Sequence, residues 1–141
     1  NDLPYKFEAG TPNIADVIAF KYAMDFITGT GRENMAAHEH ALLQYATERV
    51  SQLKAVKLVG TAKSKVSVLA FTVPGIHHFD IGQMLDTRGI AVRTGHHCTQ
   101  PLMEQYCIEG TVRASFAVYN TKAEIDQLVD GLERIINFMK A

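Results

Sequence analysis

The stretch "AVRTGHHCTQPLM", Ala91 to Met103, decides how the rest of this chain is read. Its start has the apolar character of a strand, "IAVRT". Gly95 and the two histidines open a polar segment, and Pro101 suits the first turn of a short helix, "PLMEQY". Cys98 stands directly after His96 and His97, with Arg93 five residues earlier. The chain has only two cysteines, so this placement calls for a reason.

Working outward, Asp80 to Arg88 reads as a short helix, with Ile81, Met84 and Leu85 inward and Gly89 as its stop. Before it, "AVKLVG" and "SVLAFTVPG" read as strands joined by a hairpin-like "TAKSK". After the cysteine segment, "TVRASFAVY" reads as a fourth strand. Thr121 and Glu124 predict a capping box at the start of a last helix. There Ile125, Leu128, Val129, Leu132, Ile135, Ile136 and Met139 keep the helical period. Two helices open the chain. One, from about Pro12 to Phe26, is apolar around much of its circumference and is expected to be largely buried. The other, from about Arg32 to Lys54, carries the stripe Leu42, Ala46, Val50 and Leu53. Together these elements predict an α+β fold, a short and mostly antiparallel sheet covered by helices.

The bulk numbers agree. The chain has 141 residues, 47% hydrophobic and 21% charged, enough for one core. A net charge of −1 with no basic run argues against nucleic acid. No apolar stretch approaches the roughly 20 residues that span a bilayer. The first residues do not read as a signal peptide, and two cysteines make no disulfide framework, so a cytoplasmic location is expected.

Three readings compete for Cys98. Zinc would need ligand spacing that the adjacent histidines lack. His38 and His40 point to different sides of a helix, and His77-His78 has only Asp80 nearby, so no metal site is expected. Plain packing as a small buried hydrophobe is the second reading. It suits Cys107, beside Tyr106 and Ile108, better than it suits Cys98. The third is a reactive thiolate in a polar loop with a cation near it. Residue chemistry favours Cys98 over Cys107 for reactivity but names no reaction.

"FEAGTPN", Phe7 to Asn13, then "RTGHHC" followed by "TQPLM", then "RASF…YNT" occur in one order along the chain. In that order they resemble cysteine desulfurases of the SUF type, in the class-V aminotransferase group of pyridoxal-phosphate enzymes. The resemblance implies the small C-terminal domain of a fold-type I enzyme. Residues 1–30 would then be a turn and helix belonging with a large domain absent from this chain. Residues 31–141 would be the small domain carrying the cysteine loop. Cys98 matches the nucleophile that takes sulfur from L-cysteine as a persulfide, leaving L-alanine, for iron–sulfur cluster assembly. Arg113 matches the arginine that clamps the substrate carboxylate, and Arg93 a second active-site arginine. Gly10 and Thr11 match a turn that reaches the cofactor phosphate of a neighbouring subunit. His96 and His97 match paired histidines without an assigned role. His78 stands where a proline is common, a departure expected to touch helix entry and not the site.

The resemblance further implies pyridoxal 5'-phosphate in the full-length enzyme, a homodimer, and a small protein that accepts the sulfur. None of the eight lysines has the context of the cofactor-bearing lysine, so no aldimine is expected on this chain. Selenocysteine lyase activity belongs to the same resemblance, with L-selenocysteine as substrate. A related aminotransferase that uses no cysteine, and a structural or binding domain without chemistry, are the alternatives.

Overall fold

In the computed structural model, which describes residues 1–140, the chain forms two compact units, Asn1–Ala36 and the residues from Ala37 onward. The first unit holds a single 3-10 turn, Tyr5–Phe7, and α1, Ile14–Thr30. Asn13 caps α1, its side chain accepting from the Asp16 N–H. Thr30 ends it, because Gly31 with φ 88° leaves the helical region. The expectation that this helix is buried does not hold: Val17 is 70% exposed, Phe20 64% and Phe26 61%. Its side chains are apolar on all sides, and the first unit has no sheet or second layer to cover them.

The boundary falls inside α2, Arg32–Ser51. Four strands follow in one antiparallel sheet: β1 Lys57–Val59, β2 Val68–Thr72, β3 Arg93–Gly95 and β4 Thr111–Ser115, in the spatial order β1-β2-β4-β3. The helices between and after them are α3 His78–Asp86, α4 Gln100–Tyr106 and α5 Lys122–Met139. β3 is shorter than expected. Ile90 and Val92 pack against the core without joining the ladder.

The period-2 rule divides the sheet into two unlike faces. Leu69, Phe71, Val112 and Ala114 point to one side. There they meet Leu42, Ala46 and Val50 of α2, Ile81 and Leu85 of α3, and Leu128, Leu132 and Ile135 of α5. Each fully buried side chain of this kind contributes about 1.5–3 kcal/mol. The Thr121–Glu124 capping box is present, and such a cap is worth about 1 kcal/mol. The apolar stripe therefore holds α5 in place, and the cap fixes where it starts. The other face carries Thr111 and Arg113 of β4 with Arg93 of β3.

Candidate active site

β3 is an edge strand that pairs only with β4. The register sets Arg93 opposite Arg113, Thr94 opposite Val112, and Gly95 opposite Thr111. Directly opposed residues share a face, so the two guanidinium-bearing side chains rise from the same side of the sheet. On its other flank Arg113 is opposed by Ala70, whose small side chain leaves space beside it. Like charges placed opposite each other destabilise a sheet, and an anion between them reverses the sign. The pair is thus suited to a carboxylate.

Beyond Gly95 the chain turns sharply. The Thr99 N–H donates to the His96 carbonyl at 2.9 Å. His97 and Cys98 are the two central residues, with φ 55° and 60°. Positive φ at both central positions is the province of Gly, Asn and Asp, and costs other residues about 1–2 kcal/mol each. Local bonds hold the strained form. The Cys98 N–H donates to His96 Nδ1 at 3.0 Å, and the Thr99 hydroxyl donates to the His96 carbonyl at 2.7 Å. Strain that persists because its surroundings fix it marks functional turns. Cys98 is exposed at the apex.

His97 turns back toward the sheet. Its Nε2 lies 2.9 Å from the hydroxyl of Thr111, which is 2% exposed. Burial pushes the His97 ring below the ordinary histidine value of 6.5, and the positive charge of Arg113 pushes it further the same way; a hydrogen bond to Thr111 works against them, and Arg93 and His78 have smaller lowering effects. The ring's own Nδ1 and the Nε of Arg113 are buried and lack partners.

His78 opens α3, as expected for a helix-entry position, and its ring also reaches the end of the β3–β4 pair. A Cβ on Gly110 would sit 2.6 Å from His78 Nε2 and 2.7 Å from the Gly95 carbonyl carbon. The His78 ring thus packs against the end of the β3–β4 pair, at the base of the cysteine turn. Burial lowers its pKa, and the neighbouring His77 lowers it further. Cys107 departs from expectation. It caps the end of α4 with φ 53° and is exposed rather than buried, because a left-handed cap turns the chain outward there.

A cavity of about 270 Å³ lies beside His77, His78, Glu109 and Lys57. Neither Cys98 nor Arg113 lines it; Cys98 and Arg93 are exposed, and Arg113 is half-buried. Among the described residues no three His, Cys, Asp or Glu side chains converge as metal ligands, and no helix is long and apolar enough to cross a membrane.

Gly10 and Thr11 belong to the first unit, just before the Asn13 cap of α1. Both are exposed, and nothing lies within 4 Å of a Cβ built on Gly10. An open Gly-Thr turn ahead of a 17-residue helix offers backbone N–H groups and the positive end of the helix dipole to an anion. These features fit a cofactor phosphate.

Sequence reasoning singled out Arg93, His96, His97, Cys98 and Arg113; the register sets the two arginines opposite each other, and the turn after Gly95, at the other end of β3, carries His96, His97 and Cys98. Sequence reasoning missed Thr111, His78 and Gly110. Thr111 left a signal, since residue i and residue i+2 of a strand share a face and Arg113 is two positions on. His78 and Gly110 meet through tertiary packing, which sequence spacing does not show.

The model of the aminotransferase class-V family matches residues 1–128. A probable cysteine desulfurase of Streptomyces coelicolor is 47% identical over 137 residues, covering 96% of this chain and 33% of that protein. A cysteine desulfurase of Pectobacterium atrosepticum is 46% identical over 134 residues, covering 95% of this chain and 33% of that protein. Among solved structures, the apo cysteine desulfurase of Thermococcus onnurineus superposes with a TM-score of 0.90 at 37% identity, over 97% of this chain and 34% of that one. The Escherichia coli cysteine desulfurase CsdA gives 0.88 at 34% identity, over 98% and 34%. The chain spans about a third of the length of the curated relatives it matches. With the matched model running from the exposed Gly-Thr turn through the cysteine turn and both arginines, the chain belongs to the class-V aminotransferase family.

Proposed function

We propose that this chain supplies the sulfur-accepting cysteine and the carboxylate clamp of a pyridoxal-phosphate-dependent cysteine desulfurase. The carrying observation is the register that opposes Arg93 and Arg113 on the strand pair whose end forms the Cys98 turn. The exposed, apolar α1 supports a first unit that packs with a larger cofactor-bearing domain. Gly10 and Thr11 would then hold the cofactor phosphate of a neighbouring subunit in a homodimer.

The guanidinium groups bind the carboxylate of L-cysteine, Arg113 as the main clamp and Arg93 as a second contact. Arginine suits this better than lysine because its planar fork meets both carboxylate oxygens. With the substrate held, the Cys98 thiolate attacks the substrate sulfur. A sulfur–sulfur bond forms, and the carbon–sulfur bond breaks with its electron pair left on carbon. The bound cofactor supplies the electron sink for that pair. A proton then completes L-alanine, and Cys98 carries a persulfide.

The tight turn serves this chemistry twice. It presents the thiol to substrate, and its exposure lets a small acceptor protein reach the persulfide afterwards. That handover, toward iron–sulfur cluster assembly in the cytoplasm, is part of the same reading.

The test is peptide mapping of the full-length protein that contains this chain. It is incubated with L-cysteine, quenched with an alkylating agent and digested. One additional sulfur on the Cys98 peptide, formed together with alanine, is expected. Alanine without sulfur on Cys98 overturns the assignment.

A further inference from the structure

One side chain in the cysteine turn holds the backbone with an atom that can take up a proton. His96 Nδ1 accepts the Cys98 N–H at 3.0 Å. A backbone N–H only donates, so Nδ1 holds its lone pair there and the ring proton sits on Nε2. A side-chain acceptor two residues ahead of the N–H it receives is the bond by which Asn and Asp shape turns. Their carbonyl or carboxylate oxygen makes that bond at neutral pH without titrating; the imidazole of His96 can lose it to a proton. Once protonated, Nδ1 becomes a donor, and two N–H groups face each other. The turn's other bonds come from Thr99, whose N–H and hydroxyl go to the His96 carbonyl at 2.9 and 2.7 Å. Those do not involve the ring. They close the turn in either state, while the ring holds the peptide unit of Cys98, which stands at φ 60°.

The other pair of histidines gives a comparison within the same chain. His77 Nδ1 accepts the Phe79 N–H at 3.3 Å, again two residues on. His77 Nε2, however, lies 3.4 Å from a carboxylate oxygen of Glu109, so a charged His77 keeps a partner. His96 has no such carboxylate among the described residues. The elements around the turn carry Asp80 and Asp86 on α3, Glu104 on α4 and Glu109 ahead of β4, and none of them pairs with His96. The remaining titratable and charged groups there are Arg93, Arg113, His97, the Cys98 thiol and His78 at the base of the turn. Two arginines, two histidines and a thiol offer a protonated His96 no ion pair in place of the bond it loses.

We propose that His96 is a positioning residue for Cys98 and makes its presentation depend on one proton: the neutral ring fixes the Cys98 peptide through Nδ1, and the protonated ring releases it. This rests on the reading of Cys98 as the nucleophile and adds what aims it. A fixed Cys98 presents its thiol to bound substrate in one geometry, which an efficient attack requires. A released Cys98 spreads over several conformations, and sulfur transfer slows. The sign follows from the bond, which is present above the pH at which His96 takes up its proton and lost below it.

Hydrogen exchange of the Cys98 amide tests this in the full-length protein that contains this chain. It is read by mass spectrometry at single-residue resolution and expressed as protection relative to an unstructured peptide of the same sequence at the same pH. At pH 8, His96→Ala should lose protection about fivefold, the worth of one neutral hydrogen bond. His96→Asn should keep it, because its Oδ1 makes the same bond. From pH 8 to 5.5 the unsubstituted protein should lose protection at Cys98 while His96→Asn keeps it. A side chain that only fills space would give neither the rescue nor the contrast with pH. Sulfur loading of Cys98 from L-cysteine should slow in His96→Ala and slow less in His96→Asn. The proposal is overturned by unchanged protection in His96→Ala, by a parallel course with pH in the unsubstituted protein and His96→Asn, or by equal slowing in the two variants. Full protection of the unsubstituted protein at pH 5.5 overturns it as well, and that measurement needs no variant to fold. Exchange requires neither substrate nor turnover. Failure of the desulfurase reading would leave the exchange contrast standing with no sulfur on Cys98, and failure here would leave sulfur on Cys98 without the contrast.

Discussion

Arg93 and Arg113 are directly opposed partners in the antiparallel pair of β3 and β4. The chain keeps two like charges where a neutral pair would be more stable, by about 0.2–1 kcal/mol. Arg93→Gln is therefore expected to leave the urea midpoint unchanged or raise it. Arg113→Ala and Arg93→Gln should each weaken use of cysteine and selenocysteine by the full-length enzyme to a similar degree, because both substrates carry the same carboxylate. A marked loss of stability in Arg93→Gln would show that the pair is structural.

The two left-handed residues at the cysteine turn give a test with a reversed sign. At ordinary positions glycine is the less stable partner of alanine. At position 98, with φ 60°, Cys98→Gly should be the more stable of the two, by about 1 kcal/mol. Denaturant unfolding of the two variants measures the difference. Alanine ahead of glycine would contradict the left-handed turn.

Gly110 is the close-approach position beneath that turn. A methyl group there would meet the His78 ring at 2.6 Å and the Gly95 backbone at 2.7 Å. A side chain can swing away, but the Gly95 backbone belongs to the strand pair and cannot do so cheaply. Gly110→Ala should lower stability by about 1–3 kcal/mol, as overpacking does, and should disturb the turn resonances of residues 95–98. Gly10→Ala, where nothing lies within 4 Å, should change stability little.

Much of this architecture is legible in the sequence because it rests on period. The stripe of α5 from Ile125 to Ile135 and the alternation of β4 both follow from spacing alone. The turn at His97 and Cys98 is not legible, since neither residue type favours positive φ; hydrogen bonds donated by Cys98 and Thr99 to His96 hold it. The exposure of α1 escapes the sequence for a different reason. Phe20 and Phe26 say that a helix is to be covered, but not by which part of a protein. Arg93 and Arg113 carry a recognisable chemistry, while their face-to-face register depends on strand ends that local propensity does not fix. His78 and Thr111 reach the site through tertiary packing.

His78 and His97 also predict a pH dependence. Both have pKa values lowered from 6.5 in the folded chain, chiefly by burial. The unfolded chain then binds more protons than the folded one as pH drops below about 6.5. Stability from these groups is fully present above that pH and is lost as pH falls through their lower folded values. His97→Gln and His78→Gln should each flatten this acid limb in urea unfolding followed from pH 7.5 to 5.5 at constant ionic strength. An acid limb of unchanged slope in both variants would assign it to other groups.

The account stands most directly on what Cys98 does to sulfur. The measurement is kcat/KM of the full-length enzyme carrying Cys98→Ala, taken on L-cysteine and on L-selenocysteine side by side. A selenol is the stronger acid and the carbon–selenium bond the weaker one, so selenium leaves with less help. Sulfur needs a nucleophile to take it. Cysteine turnover should therefore collapse by several powers of ten while selenocysteine turnover survives in good part. Intact cysteine turnover in Cys98→Ala would contradict the assignment of the nucleophile, and equal loss on both substrates would give Cys98 a structural or acid–base role in its place.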